Sequence, residues 1–486
     1  MTSTLDAGAS TRRGRAASQG SGTGVIWLLL GAAFVTMLNE TVMGVAIPHL
    51  VSGLGITLST AQWTTTAFML TMAVIIPTTG WLLQRFTTRQ VFLSAMTAFT
   101  AGTLIGALAP DFTVLLAARV VQAVGTAMMM PLLMTTIMTL VPAHERGRFM
   151  GRITIVMAVA PALGPALSGF ILNTLSWHFL FWTILPIAVI MSVVGALRLK
   201  SVGERSSAPL DIPSLPLAAG GFGGLVYGIS TLGGGPDAPV TAGATALAAG
   251  VVLLALFVWR QLTLQRTDRA LLDLRTFRSR TFSLAIALVT VAMAAMFGAI
   301  ILLPIYLQNV LRVDSATTGL LLLPGGLVMG LVAPLVGRLY DRYGPRPLVM
   351  PGAIIASAVL WAMTLVTDHT PPVVAALALA GISLGVSFMM TPLMTSALGA
   401  LGPRLYSHGS AIVGTVQQVA GAIGTALFIT VLALGTAQAS GSGAEPTAAA
   451  AHGVQLAFTV GAALSLIAVV GSFFVRKAET APAGQH

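Results

Sequence analysis

One acid stands inside the stretch VTMLNETVMGVAIP, residues 35–48. It is Glu40, and no other formal charge occurs between Val25 and Leu50. A charged carboxylate near mid-bilayer costs roughly 2.5–3.5 kcal/mol on insertion scales. A partner cation, a water-filled cavity or a bound proton can offset that cost. A group that passes between the last two can hold either a proton or a cationic molecule, so Glu40 is the leading candidate for exchange chemistry. The alternative is that it only hydrogen-bonds a neighbouring helix and fixes packing. The second candidate is Arg119, in AARVVQAVGTA (117–127), the one basic residue more than a turn inside an apolar run. It is either a charge partner for the acid or an arginine snorkelling to the membrane surface.

The elements that must position these residues follow from composition. Of the 486 residues, 56% are hydrophobic and only 8% charged, against about 25% charged in soluble domains. So few charges cannot cover a soluble surface of this size, and the chain reads as a polytopic, all-α membrane protein. A spanning helix needs about 20 apolar residues. Fourteen such runs occur, at 25–50, 60–83, 90–109, 113–140, 149–172, 178–197, 213–233, 241–260, 281–308, 315–337, 346–367, 372–396, 408–435 and 453–475. With the N-terminus inside, 23 of the 25 Lys and Arg residues fall on inside segments, leaving Arg312 outside and Arg119 in a span. That asymmetry predicts both termini cytoplasmic in the inner (plasma) membrane. It also assigns the net charge of +11 to the membrane rather than to nucleic acid.

Other functions find no support. There is no cysteine, hence no disulfide framework and no thiolate metal site. The histidines, His49, His144, His178, His369, His408, His452 and His486, read as loop or tail residues without ligand spacing. No phosphate-loop motif occurs. The expectation is neither an enzyme nor an ATP-driven pump, with no cofactor and no metal.

An internal repeat divides the chain. GWLLQRFTTRQ (80–90) and GRLYDRYGPRP (337–347) share G-x-L-x-(D)-R-x-x-x-R on short inside loops, eight helices apart. Two six-helix halves, 25–198 and 281–475, with a two-helix insert and basic linker at 199–280, account for that offset. A disordered basic tail, 1–24, and a cytoplasmic tail, 476–486, complete the expected division. In the loops, Gly80 and Arg85 match Gly337 and Arg342, Arg89 matches Arg346, and Asp341 stands where the first copy has Gln84. An acid and an arginine at a helix end can form a charge–dipole latch between halves; the alternative is plain positive-inside orientation. The fifth helix carries Pro161, Gly164, Pro165 and Gly169, a pattern for a kink with close helix approach. Adaptable lining is offered by Phe34, Met128, Met293, Phe297 and Tyr306. Asn39, Gln122, Gln308 and Gln417 could orient a substrate or join helices.

These motifs, in order and on the right helices, resemble the Major Facilitator Superfamily, and within it the fourteen-helix drug:proton antiporter family. LNETVMGVAIP (38–48) sits where that family has L-D-x-T-V-V-N-V-A-L-P. The fourth-helix stretch around Arg119 and Gln122 and the fifth-helix APALGPALSG (160–169) match as well, and LPIYLQNVL (303–311) is similar. The combination of LNET with QRFTTR resembles the lincomycin-resistance-type branch. There are departures: the usual first-helix acid is Asn39 here, with Glu40 one position on and about 100° around the helix, and the first loop has Gln84 in place of its acid. The resemblance implies a proton-coupled antiporter exporting amphipathic, cationic drug-like molecules by alternating access. Glu40 and Arg119 would couple protons, and the fifth-helix motif would seal the cavity. The implied partners are a small-molecule substrate, protons and the bilayer, with the chain acting as a monomer. An exporter of an endogenous metabolite, a lipid or glycolipid translocase, and a non-transporting scaffold remain alternatives.

Overall fold

A computed structural model describes residues 3–199, 210–232 and 240–476, with side chains from Gly24 onward except at 45, 58, 59, 230, 232, 240, 315 and 316. Lys200, Arg205, Lys477 and the C-terminal tail lie outside the described residues, as do the side chains of the N-terminal tail. Backbone polar groups in hydrocarbon must bond internally, and no strand occurs among the described residues. The helices are α1 (Ser3–Leu54), α2 (Leu58–Arg85), α3 (Thr88–Ala107), α4 (Phe112–Leu140), α5 (Arg146–Leu172), α6 (His178–Arg198) and α7 (Ser214–Leu232). They continue with α8 (Val240–Leu264), α9 (Arg280–Ile305), α10 (Ser315–Tyr343), α11 (Arg346–Ala362), α12 (Val373–Gly399), α13 (Tyr406–Gly441) and α14 (Pro446–Ser472). Each apolar run of the sequence falls on one of them. Thirteen contain a segment long and apolar enough to span a membrane; α7 carries a shorter apolar stretch, Ser214–Ile229.

Capping residues set several starts. Asp111 accepts from the Val114 amide at the head of α4, and Asp314 from Thr317 at the head of α10. Thr87 and Gln90 form a reciprocal capping box at α3, which satisfies amides that have no intrahelical acceptor. QRFTTRQ turns sharply because Phe86 closes α2 in extended conformation and Thr87, the next residue, already caps α3.

Helices α1 to α6 pack among themselves, as do α9 to α14, and the two groups meet mainly along α5–α10 and α2–α13. The α5–α10 seam is built on small residues. A Cβ on Gly151 would stand 2.6 Å from the Ala333 carbonyl oxygen, and one on Gly337 would stand 2.3 Å from that of Gly147. Such backbone approach lets two helices gain dispersion contacts that lipid cannot replace. Hydroxyl pairs also cross between the groups, Thr154 with Thr391 at 2.9 Å and Thr135 with Ser410 at 3.1 Å.

The pair α7–α8 packs through Gly224, Gly228 and Gly250. Helix α7 rests on α2 and α13, with Trp63 stacked on Tyr227. Polar side chains organise the linker that follows α8. Arg260 makes two 2.7 Å bonds to Asp211. Buried Gln261 donates to Ser214 and accepts from the Leu271 and Leu272 amides. Arg275 pairs with Asp273 and Asp268. The charge-rich run from 260 to 280 is therefore a folded strap.

Candidate functional site

The site grows from Arg119, which α4 places at zero exposure. Its Nη1 donates to Asn39 Oδ1 and to Gln122 Oε1, each at 2.9 Å. Nε donates to the Thr64 carbonyl at 3.3 Å, and the guanidinium lies 4.1 Å above the centre of the Phe68 ring. Gln122 extends the chain through Nε2 to Thr103 Oγ1 at 2.9 Å, and Thr103 donates to the Phe99 carbonyl. Residues of α1, α2, α3 and α4 thus hold one planar cation in fixed orientation, and only Nη2 has no partner. Zero exposure and this many fixed contacts rule out the snorkelling alternative.

Glu40 follows Asn39 on α1 but does not share its bond. It is half-buried and makes no hydrogen bond or ion pair among the described residues, while lying within electrostatic range of Arg119. A neutral amide accepts from the arginine but cannot cancel its charge. An acid with a free hydrogen-bonding capacity therefore stands beside an immobilised cation.

The fifth helix touches this region at the next residue. A Cβ on Gly164 would come 2.1 Å from Thr41 Oγ1, so α5 and α1 meet where only glycine fits. The close approach expected at Gly169 is not found: a Cβ there meets nothing within 4 Å. Pro161 and Pro165 both lie inside α5, on either side of the Thr41 contact.

A second polar site lies at the end bearing the basic loops. Asp341 Oδ1 accepts from the Gly147 amide at 2.8 Å and Oδ2 from the Arg148 amide at 2.9 Å. The carboxylate of α10 therefore caps the N-terminus of α5, where backbone donors and the helix dipole both favour an anion. Arg342 takes no part; it lies 5.2 Å over the adjacent Tyr343 ring. The first loop copy makes an analogous join with different chemistry. Gln84 Nε2 donates to the Arg404 carbonyl at 2.7 Å, in the turn before α13, and Arg89 donates to the Ala196 carbonyl at 2.8 Å. Gly80 lies against His408. Both loops thus reach across to the entrance of a helix in the opposite group.

The Major Facilitator Superfamily profile matches residues 29–425. The chain belongs to that superfamily. It is 40% identical over 461 residues to the lincomycin resistance protein LmrB of Listeria monocytogenes, covering 94% of this chain and 97% of the relative. It is 32% identical over 408 residues to a multidrug resistance protein B homolog of Mycobacterium tuberculosis, covering 82% and 74%. The fold is that of the human organic anion transporter MFSD10, with a TM-score of 0.63 at 15% identity over 94% of this chain and 99% of that one. This facilitator-superfamily member is a multi-pass inner-membrane transporter of small molecules, not an enzyme.

Only some of the sequence candidates join this facilitator's Arg119 group. Asn39 and Gln122 are hydrogen-bonded to it, with Glu40 alongside. Phe34 packs between the helices of the first group, and Met128 has its sulfur 4.0 Å from Ser94 Oγ. Met293 is buried, and the Phe297 ring lies against Gly421 of α13. Tyr306 is wholly buried with its hydroxyl donating to the Thr367 carbonyl at 2.6 Å. Gln308 belongs to the π-helical turn Tyr306–Val310, and Gln417 has a buried amide nitrogen without a partner. A furrow of about 480 Å³ between α2 and α7 contains none of these residues.

Thr64 and Thr103 give no sign in the sequence, and Phe68, a candidate for adaptable lining, instead lies under the Arg119 guanidinium. Apolar or hydroxyl residues on a membrane helix give no signal until a partner is known. His408 was misplaced. It stands within the first turn of α13 rather than in a loop, 3% exposed, with Nδ1 unpartnered. Its position as the first residue of an apolar run was the available clue.

Proposed function

We propose that the protein exports amphipathic, cationic drug-like molecules in exchange for protons, by alternating access. Fourteen spans with both ends cytoplasmic, two six-helix halves and a two-helix insert form the working monomer. The observation that carries the proposal is the pairing of a locked, fully buried Arg119 with a half-buried, unbonded Glu40. A carboxyl group in that position can hold either a proton or a cationic substrate. Water and substrate reaching the site from one side or the other decide between them. Protonation from outside displaces a cation from Glu40, and deprotonation towards the inside reopens the site.

The two loop joins fit the second requirement of such a cycle, closure at one end. Asp341 on the α5 N-terminus and Gln84 on the turn before α13 tie the halves together at the cytoplasmic side. Breaking them is the step that opens the site inward.

The names of the relatives support drug-like cargo. Uptake into inverted membrane vesicles, measured against a panel of cationic drugs, neutral drugs and amino acids, tests it. Proton-gradient-dependent uptake of cations that is abolished by Glu40→Gln supports the proposal. Uptake confined to amino acids would transfer the site to metabolite export, and wild-type uptake by Glu40→Gln would remove its basis.

A further inference from the structure

A cavity of about 370 Å³ opens at the basic-loop end, between the first turn of α9, the end of α12 and residues 474–476. It lies within the size range of small-ligand sites. Its polar lining is Arg280, Thr281, Ser396 and Arg476, and its apolar lining includes Leu284 and Phe474. None of these residues belongs to the Arg119 group or to the loop joins.

Its electrostatics are one-sided. Arg280 and Arg476 are both exposed, and among the described residues no carboxylate pairs with either. The cavity also meets the N-terminus of α9, a helix of 26 residues, where Ser279 already caps the Phe282 amide. The amides of Arg280 and Thr281 have no intrahelical acceptor by position. Two free guanidinium groups and a helix N-terminus therefore converge on one space, and no acid among the described residues answers them. Guanidinium forks match phosphate oxygens in geometry as well as charge.

The surroundings choose among anions. Phe474 is 67% exposed and Phe473 47% exposed, at the point where α14 has just ended. Apolar rings beside arginines at the end of a span lie at the interface, with acyl chains on one side and head groups on the other. A soluble anion would use the arginines and leave the rings in water.

We infer that this cavity binds the head group of an anionic phospholipid. Its phosphate lies between Arg280 and Arg476 over the α9 N-terminus, and its acyl chains cover Phe474 and Leu284. Bound there, the lipid bridges α9 and the residues after α14, so it fastens the C-terminal end of the chain to the bundle.

The test uses the purified full-length protein in detergent, with lipid binding read by native mass spectrometry. Phosphatidylglycerol, phosphatidylcholine of the same chains and inorganic phosphate are compared. Two double variants are paired: Arg280→Gln with Arg476→Gln, and Arg266→Gln with Arg269→Gln. The second removes the same charge from exposed, unpaired positions outside the cavity. Phosphatidylglycerol should bind in preference to phosphatidylcholine. At about fivefold per arginine, the cavity double variant should bind it about twenty-five-fold more weakly. The control double variant should bind as wild type does. Equal weakening by both variants would reduce the effect to general surface charge. Equal binding of phosphatidylcholine would remove the head-group preference, and inorganic phosphate binding as tightly as the lipid would make this a soluble-anion site. Each of these three results overturns the inference.

Discussion

Arg119 on α4 and Asn39 on α1 are joined by a 2.9 Å hydrogen bond, while Glu40, the next residue of α1, receives none among the described residues. The division of labour follows from side-chain chemistry. An amide holds the guanidinium without neutralising it, which leaves the neighbouring carboxylate free to change its charge. A carboxylate at position 39 would pair directly with the guanidinium and leave that position no second role.

Glu40→Gln keeps size and hydrogen-bonding capacity but fixes the neutral form. It should fold with wild-type thermal stability, lose proton-driven export, and lose affinity for cationic substrates more than for neutral ones. Vesicle uptake with paired cationic and neutral substrates checks this. Asn39→Asp combined with Glu40→Gln turns the acid about 100° around α1 and places it in contact with Arg119. That variant should remain uncoupled, because the new carboxylate is consumed by the ion pair.

Arg119→Ala should abolish export and also lower stability. It leaves the side-chain oxygens of Asn39 and Gln122 without their donor, at about 1–3 kcal/mol for a buried polar group left unsatisfied. Arg119→Lys should be inactive too. An ammonium cannot reproduce the planar fork that serves Asn39, Gln122 and Thr64 while lying flat on Phe68. Thermal unfolding and gradient-driven uptake separate the two effects, and normal transport by Arg119→Lys would show that only the charge matters.

Gly164→Ala and Gly169→Ala form a matched pair on α5. The first forces a methyl group onto Thr41 Oγ1 and should cost about 1–3 kcal/mol as overpacking, with loss of transport because α1 is displaced beside Glu40. The second meets open space and should be silent in both stability and uptake. Equal effects of the two would mean that helix bending, rather than contact with α1, explains the motif.

Asp341→Ala strips the α5 N-terminus of both acceptors. Hydrogen bonds to a charged group contribute about 1.5–3 kcal/mol each, so the balance should shift towards the form open at this end. A cysteine placed at Thr154, buried at the α5–α12 contact, should be alkylated faster in that background. Asp341→Asn, which keeps one carbonyl oxygen, should fall between wild type and Asp341→Ala.

The chain has no native cysteine, so topology can be read from single introduced ones. A cysteine at Arg269 should react with an impermeant reagent only in inverted vesicles. Labelling from the outer face of intact cells would overturn the orientation derived from the basic residues.

The helices themselves were legible because hydrocarbon leaves a chain few options: apolar runs of spanning length, separated by charged or turn-forming residues, must become helices. Limits of the runs were less clear where a polar residue is buried by a neighbour. His408 begins an apolar run and reads as a loop residue, yet it is buried in α13 with Gly80 of α2 against its ring. The strap from 260 to 280 reads as a basic linker in the sequence because charge looks the same in a solvated loop and in a paired network. Asp211 and Gln261, distant in sequence from their partners, are what fold it.

Sequence alone determined that Glu40 and Arg119 are out of place in lipid, since the cost of a charge there depends on residue type and position in the run. It also determined the loop repeat, and with it the expected equivalence of α2 and α10 in the two halves. Which atoms answer Arg119 was decided only by tertiary structure. Asn39 lies 80 residues away and Thr64 lies 55, and nothing local to α4 selects them over Glu40. The same holds for Asp341, whose partners Gly147 and Arg148 lie across the molecule. A hydrogen bond forms within about 3 Å or not at all, whereas the periodicity of a sequence places a side chain only on one face of its own helix.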